Sequence, residues 1–338
     1  MNRFRWQDGE RLILFGRGRI AEVGELLDSQ YVLLTTERAS AMAPNLVDRA
    51  ASVHHVAAGR VDELAGELRA QVRGELLVAL GGGRVIDTAK ALAACDPPRR
   101  VAAIPTTLSG AEMTPIHRHA TGAAADTPRV RPAIVLNDPA LSASQSAAEL
   151  AQSAGNALGH AVEGPLTPRA NPVAALAAIR AAQLLDAGFA TPEPDPAARD
   201  QLALGALLAG YVIGSTGYGL HHVMSQTLVR FAGISHGAAN AIMLPVTLRA
   251  LEQRSEGGGF LAELQDALGR DPVALAEHLR DEGGVKTLAE AGVSDEQLDL
   301  CAGQASQRPE LQMTPPPADE AELRELYRAA ALPQPEVS

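Results

Sequence analysis

The 338-residue chain is 46% hydrophobic, 20% charged and 3% aromatic, with a formal net charge of −11. Length and apolar content predict two globular domains and exclude a disordered chain. An acidic balance without a basic run excludes nucleic acid and anionic membrane surfaces as partners.

Two cysteines, Cys95 and Cys301, form no metal or redox pattern and suit a reducing cytoplasm. The start, Met1-Asn2-Arg3-Phe4-Arg5, lacks the apolar core of a signal peptide. The longest apolar stretch, from Leu202 to Gly214, is too short to cross a bilayer. The expectation is a soluble cytoplasmic protein acting on a small molecule.

In chain order, β-rich runs fall at residues 11–15, 31–35, 52–56, 76–80, 101–104 and 133–137. Between them, residues 20–27, 61–72 and 85–94 space apolar side chains three or four apart. Strands alternating with helices predict a parallel sheet with helices on both faces, over residues 1–145. From 146 to 338 the segments are Ala/Leu-rich and broken by Pro and Gly clusters, which predicts an all-α domain. Apolar helical runs at 172–185 and 202–213 are its expected core. A short amphipathic helix at 319–331 precedes a Pro-containing end expected to fray.

Two glycine motifs compete for a phosphate. Gly16-Arg17-Gly18-Arg19-Ile20-Ala21 follows one strand, and Glu37 near the end of the next lies at the distance expected of a ribose-binding acid. A plain strand-to-helix turn explains that motif equally well. The second, Gly81-Gly82-Gly83, ends a strongly apolar strand and opens a helix. There, backbone N–H groups approach an anion without Cβ interference at the positive end of the helix. Asp87 and Lys90, three apart, share a face near the same end.

The stretch Gly81-Gly82-Gly83-Arg84-Val85-Ile86-Asp87-Thr88-Ala89-Lys90 resembles the GGGSxxDxAK signature of iron-containing (group III) alcohol dehydrogenases. Ile104-Pro105-Thr106-Thr107-Leu108-Ser109-Gly110-Ala111 is similar to that superfamily's second nucleotide loop, and Glu112-Met113-Thr114-Pro115 resembles maleylacetate reductases. Asn156-Ala157-Leu158-Gly159-His160-Ala161-Val162-Glu163, Asn171-Pro172, Gly219-Leu220-His221-His222 and His236-Gly237-Ala238-Ala239-Asn240-Ala241 continue the resemblance in family order.

The resemblance implies a dinucleotide-binding α/β domain followed by a helical domain, and a homodimer. It puts NADH or NADPH on Gly81, Gly82, Gly83, Asp87, Thr106, Thr107 and Ser109. Thr36 or Glu37 sits where the adenosine ribose is read; Glu37 favours NADH, whereas Arg38 serves a 2′-phosphate. In metal-dependent members an Asp and three His occupy the positions of Asn156, His160, His222 and His236. Here the first ligand is a neutral Asn, as in maleylacetate reductases, so the expectation is catalysis by His160, His222 and His236 with no required metal. His222 is the leading acid or oxyanion partner.

Three departures bear on the substrate. Gln226 replaces a family histidine, Arg84 replaces a serine, and the loop at 116–131, with His117, Arg118 and His119, lacks the Gly-Gly-x-Lys of maleylacetate reductases. Arg118, Arg129 and Arg131 are candidate carboxylate binders there. The leading expectation is an NAD(P)H-dependent reductase of a small, carboxylated carbonyl or enone. The alternatives are a metal-dependent alcohol dehydrogenase and a non-catalytic dinucleotide-binding protein.

Overall fold

The structure, a computed structural model, is described at residues 3–27, 30–191, 193–254 and 259–332. The chain divides into two compact units, Met1–Gln145 with Asp195–Gly210, and Ser146–Pro194 with Tyr211–Ser338.

In the first unit, β1 (Phe4–Asp8), β2 (Arg11–Phe15), β3 (Val32–Thr35), β4 (Ser52–His55), β5 (Leu76–Gly81), β6 (Arg100–Pro105) and β7 (Ile134–Asn137) form one sheet. Their order is β1-β2-β7-β6-β5-β3-β4. Only β1 runs antiparallel, against β2; the other neighbours are parallel.

Side-chain alternation buries both faces. Val32, Leu34, Leu77, Ala79, Val101 and Ala103 enter one core, with Val85, Ile86 and Ala89. Leu33, Val78, Leu80, Ala102 and Ile104 enter the other, with Tyr31 and Leu46. The connecting helices are α1 (Val23–Leu26), α2 (Glu37–Ser40), α3 (Pro44–Asp48), α4 (Val61–Leu68) and α5 (Gly83–Cys95).

The first unit adds elements beyond the sequence expectation: the short helices α2 and α3, and β1, an edge strand whose residues alternate between exposed and half-buried. The helix expected at 20–27 is a 3-10 turn, Arg19–Glu22, followed by the single turn of α1. Gly24 inside that turn weakens any longer helix.

Sheet order decides where a ligand belongs. From β3 the chain moves outward to β4, then returns to lay β5 on the opposite side of β3. That reversal makes the carboxyl ends of β3 and β5 a topological switch point, the usual ligand position in such sheets. They carry Thr36-Glu37 and Gly81-Gly82-Gly83 respectively.

The second unit is helical among its described residues. It contains α6 (Ala147–Glu163), α7 (Pro172–Gly188), α9 (Leu220–Phe231), α10 (His236–Arg254), α11 (Gly259–Leu268), α12 (Pro272–Glu282), α13 (Asp295–Ser306) and α14 (Glu320–Ala331). Ser146 and Glu149 form a capping box at α6, Asn171 caps α7 ahead of Pro172, and Asp319 caps α14. Most of α8 (Pro196–Thr216) clusters instead with the sheet, unlike the expected helical core at 202–213. Asp200 pairs with Arg17 at 2.7 Å, and Arg199 donates to the Ser142 carbonyl at 2.6 Å. Among the described residues no single helix is long and apolar enough to cross a membrane. The end expected to fray lies, beyond Leu332, outside the described residues.

Candidate active site

The two glycine motifs part company in their surroundings. At the first, the carboxylate of Asp138 already accepts from the N–H groups of Gly18 and Ile20, both at 3.0 Å. The anion that this turn can hold is therefore built into the protein. At the second, Gly82 caps α5 without any side-chain hydrogen bond; its carbonyl accepts from Val85 N and Ile86 N, which leaves the Gly83 and Arg84 N–H groups with no carbonyl one turn back in the helix.

The second loop lies against these glycines. Gly81 pairs with Pro105 across β5 and β6, and Thr106 N donates to the Gly81 carbonyl at 3.0 Å. A Cβ on Gly82 would sit 3.0 Å from Thr107 Cγ2, and one on Gly83 would sit 3.1 Å from Ser109 Cβ and Oγ. The structure thus brings Gly81, Gly82, Gly83, Thr106, Thr107 and Ser109 together as a close-fitting cradle. Thr106 and Thr107 also line a small cavity of about 10 Å³ with Asn137 and Asp138, room for one water.

Asp87 lies one turn along α5, with its carboxylate 2.7 Å from the fully buried ammonium of Lys90. Glu37 is exposed at the first position of α2, whereas the Thr36 hydroxyl accepts from Ala39 N at 3.2 Å. With Thr36 occupied as a cap, Glu37 is the exposed acid after β3.

In the second unit the histidine cluster is built around a carboxylate the sequence reading gave no role. Glu163, 1% exposed at the end of α6, accepts from His221 N at 2.6 Å and His222 N at 3.4 Å. It caps α9, whose own N-cap is Gly219, by placing two carboxyl oxygens at the positive end of that helix. The same carboxylate lies 2.6 Å from His222 Nδ1. His222 is thereby fixed in rotation, and its Nε2 has no hydrogen-bond partner.

Ring packing completes the cluster. His160 stacks on His222 with centroids 4.7 Å apart, and His221 stands edge-on to His222 at 4.8 Å. Gly159 permits this approach, since a Cβ there would fall 2.7 Å from His221 Nε2. His221 Nδ1 meets Thr247 Oγ1 at 2.9 Å. Burial pushes His221 and His222 down to about 3 and His160 well below its ordinary value, while raising Glu163. Desolvation favours the uncharged form of each.

His236 differs from the other two predicted histidines. It is the first residue of α10 and is exposed. Gln226, one helical turn beyond His222, accepts from Arg308 Nη2 at 3.2 Å. Arg308 also donates to Tyr218 Oη at 3.3 Å and to Glu310 at 3.0 Å, and the Tyr218 ring lies 5.9 Å from that of His222. A glutamine–arginine pair therefore stands at the position where the resemblance leads one to expect a histidine.

The 116–131 loop owes its shape to His117. This buried ring accepts from Val130 N at 3.0 Å and meets the Arg118 carbonyl at 2.8 Å, so it holds both ends of the loop. Arg129 and Arg131 are exposed and Arg118 is half-buried.

Residues 11–139 match the family model "Iron-containing alcohol dehydrogenase", and residues 150–331 match "Fe-containing alcohol dehydrogenase family, C-terminal". The chain belongs to the iron-containing alcohol dehydrogenase family. It is an NAD(P)-dependent oxidoreductase, as that family is. It is similar to maleylacetate reductase 1 of Rhodococcus opacus, 30% identical over 318 residues and 88% of each chain. Similarity to maleylacetate reductase of Pseudomonas sp. (strain P51) is 31% over 348 aligned positions, 96% of each. The crystal structure of maleylacetate reductase from Rhizobium sp. strain MTP-10005 superposes with a TM-score of 0.82 at 27% identity, covering 98% of this chain and 99% of that one.

The family implies a dinucleotide and, by its name, iron. The glycine cradle fits a dinucleotide's pyrophosphate, because it is shaped by three positions where any Cβ would intrude. Iron is a different case. Among the described residues no three His, Cys, Asp or Glu side chains form a group able to hold a metal ion. Asn156 offers a neutral amide where a carboxylate would compensate a divalent charge. At the four family positions the chain thus offers three imidazoles and an amide, without the carboxylate charge that helps to hold a divalent ion.

Proposed function

We propose that the chain is an NAD(P)H-dependent reductase of a small, carboxylated carbonyl or enone compound, resembling maleylacetate reductase and needing no metal. The observation that carries this reading is the Glu163–His222 pair, 2.6 Å apart, with His222 Nε2 buried and without a partner. The bound dinucleotide supplies the hydride. Gly81, Gly82 and Gly83 hold its pyrophosphate, Thr106, Thr107 and Ser109 line its site, Asp87 lies toward the nicotinamide, and Glu37 accepts from the adenosine ribose.

Reduction of a carbonyl also needs a proton at the oxygen. His222 Nε2 is the atom we assign to that oxygen, and Glu163 holds the ring through Nδ1. Burial favours the uncharged pair, with the shared proton on Glu163 and the imidazole hydrogen on Nε2. Transfer from Nε2 to the product oxygen then leaves Nδ1 to take the proton from Glu163. His160, stacked on this ring, keeps water from its face, and His236 takes a supporting role at the open side.

The test is oxidation of NADH and NADPH with maleylacetate and a panel of oxo acids, before and after EDTA treatment, with elemental analysis. The expected result is turnover that survives chelation and substoichiometric metal. Asn156→Asp should gain Zn²⁺ affinity, since it restores a carboxylate beside His160. A second reading, a metal-dependent alcohol dehydrogenase, is favoured by His160 Nδ1 and His222 Nε2, both buried without hydrogen-bond partners. Stoichiometric iron or zinc, with activity lost on chelation and restored by the ion, would establish it.

A further inference from the structure

Lys90 is the largest charged side chain fully buried in the sheet unit, with none of its surface exposed. Its ammonium donates to three carbonyls of one short strap, Ala111 at 2.9 Å, Thr114 at 3.2 Å and Ile116 at 2.8 Å, with the Thr114 hydroxyl at 3.4 Å. Asp87, on the same face of α5, supplies the countercharge at 2.7 Å. A buried ammonium without such partners would be strongly destabilising, so the strap and the helix hold each other.

The strap continues the loop that stands over the glycines. Ser109 Oγ, facing Gly83, accepts from Ala111 N at 3.4 Å, and Gly110 turns the chain with φ of 67°. One side chain rooted in α5 thus sets how far residues 106–116 stand from the start of that same helix.

We propose that Lys90 is a positioning residue for the dinucleotide: its ammonium clasps the 111–116 strap and fixes the spacing between Thr107, Ser109 and the glycine cradle. The inference rests on the cofactor site proposed above and adds a residue that touches no part of the cofactor. Loss of the clasp widens the cradle, so dinucleotide affinity falls while the chemical step in the loaded enzyme is spared.

The experiment is Lys90→Met in the full chain. NADH and NADPH dissociation constants come from fluorescence titration, and amide hydrogen exchange is followed along the chain. Turnover is measured at saturating cofactor on the best substrate of the panel. The expected result is at least a tenfold rise in both dissociation constants and a kcat within threefold of wild type. Exchange should be faster at residues 106–116 but not in the strands. Unchanged dinucleotide affinity, or exchange accelerated throughout the sheet, would overturn the proposal and leave Lys90 a stability residue.

If Lys90→Met is recovered only unfolded, Thr114→Val decides. It removes a hydroxyl that accepts from Lys90 at 3.4 Å and from Ile116 N at 3.2 Å, and should weaken dinucleotide binding two- to fivefold with faster amide exchange at residues 106–116; unchanged affinity overturns the proposal. Failure of the cofactor reading looks different. In that case wild type binds neither dinucleotide, or Gly82→Ala leaves binding intact. If wild type binds, Gly82→Ala weakens binding and Lys90→Met does not, the clasp alone falls.

Discussion

Glu163 joins two tasks in one carboxylate. It caps a helix that begins at a glycine, and it fixes the ring that the proposed reduction needs. Glu163→Gln keeps an oxygen for the His221 N–H but removes the proton exchange with Nδ1. We expect kcat to fall about 100-fold, within the range of a lost acid–base partner, with the cofactor KM unchanged in steady-state assays. A variant with wild-type kcat would remove Glu163 from the mechanism. Glu37 makes a separate claim, because its exposed carboxylate repels a 2′-phosphate. Glu37→Ala should raise kcat/KM with NADPH relative to NADH; an unchanged ratio would mean that another residue reads the ribose. Of these two roles only the second was legible in the sequence. An acid at the end of the second βα strand is a local signal, whereas the Glu163–His222 bond spans 59 positions. The visible hint was weak: His160 and Glu163 are three apart on one helix, a spacing that many solvated pairs share.

Strand and helix ends explain why one glycine motif was readable and the other misleading. Locally, Gly16-Arg17-Gly18 and Gly81-Gly82-Gly83 both join a strand to a helical segment. What separates them is Asp138, about 120 residues downstream, whose carboxylate takes the N–H groups that a phosphate would need at the first turn. Edge strand β1 was hidden for a related reason. Its half-buried alternation resembles an exposed segment until β2 supplies the hydrogen-bonding partner. The cradle itself makes a sharper prediction than simple glycine loss. A Cβ at Gly82 meets Thr107 before it meets any ligand, so Gly82→Ala combines local crowding with blocked pyrophosphate approach. Thr107→Ala relieves the first effect and not the second. We therefore expect the double variant to regain the Tm lost by Gly82→Ala, while NADPH affinity stays at least tenfold below that of Thr107→Ala. Recovery of affinity together with Tm would show that crowding alone was responsible.

At the scale of the whole molecule, the buried imidazoles set the acid limit of stability. Burial lowers His117 to about 4, His221 to about 3 and His160 well below the ordinary value. The unfolded chain takes up protons on these residues near pH 6.5, and the folded chain does not until lower pH. Stability from the three is therefore complete above about pH 6.5 and is lost as pH falls toward 4. Glu112 acts in the opposite sense. Its buried carboxyl, raised to about 7, favours the folded state at low pH, and that contribution is lost as pH rises through 7. The Glu163–His222 pair holds one proton in both the folded and the unfolded chain over this interval, so it adds no slope. Between pH 6.5 and 4.5 three groups outweigh one, and each uncompensated proton contributes roughly 1.4 kcal/mol per pH unit. Thermal unfolding should thus show Tm falling steadily on acidification across this interval. His117→Gln offers the Val130 N–H another acceptor without a titrating ring, so its Tm should fall less steeply than that of wild type. Parallel curves for the two proteins would show that His117 is protonated in the folded chain well above pH 4, and a Tm that rises on acidification would make Glu112 the dominant group.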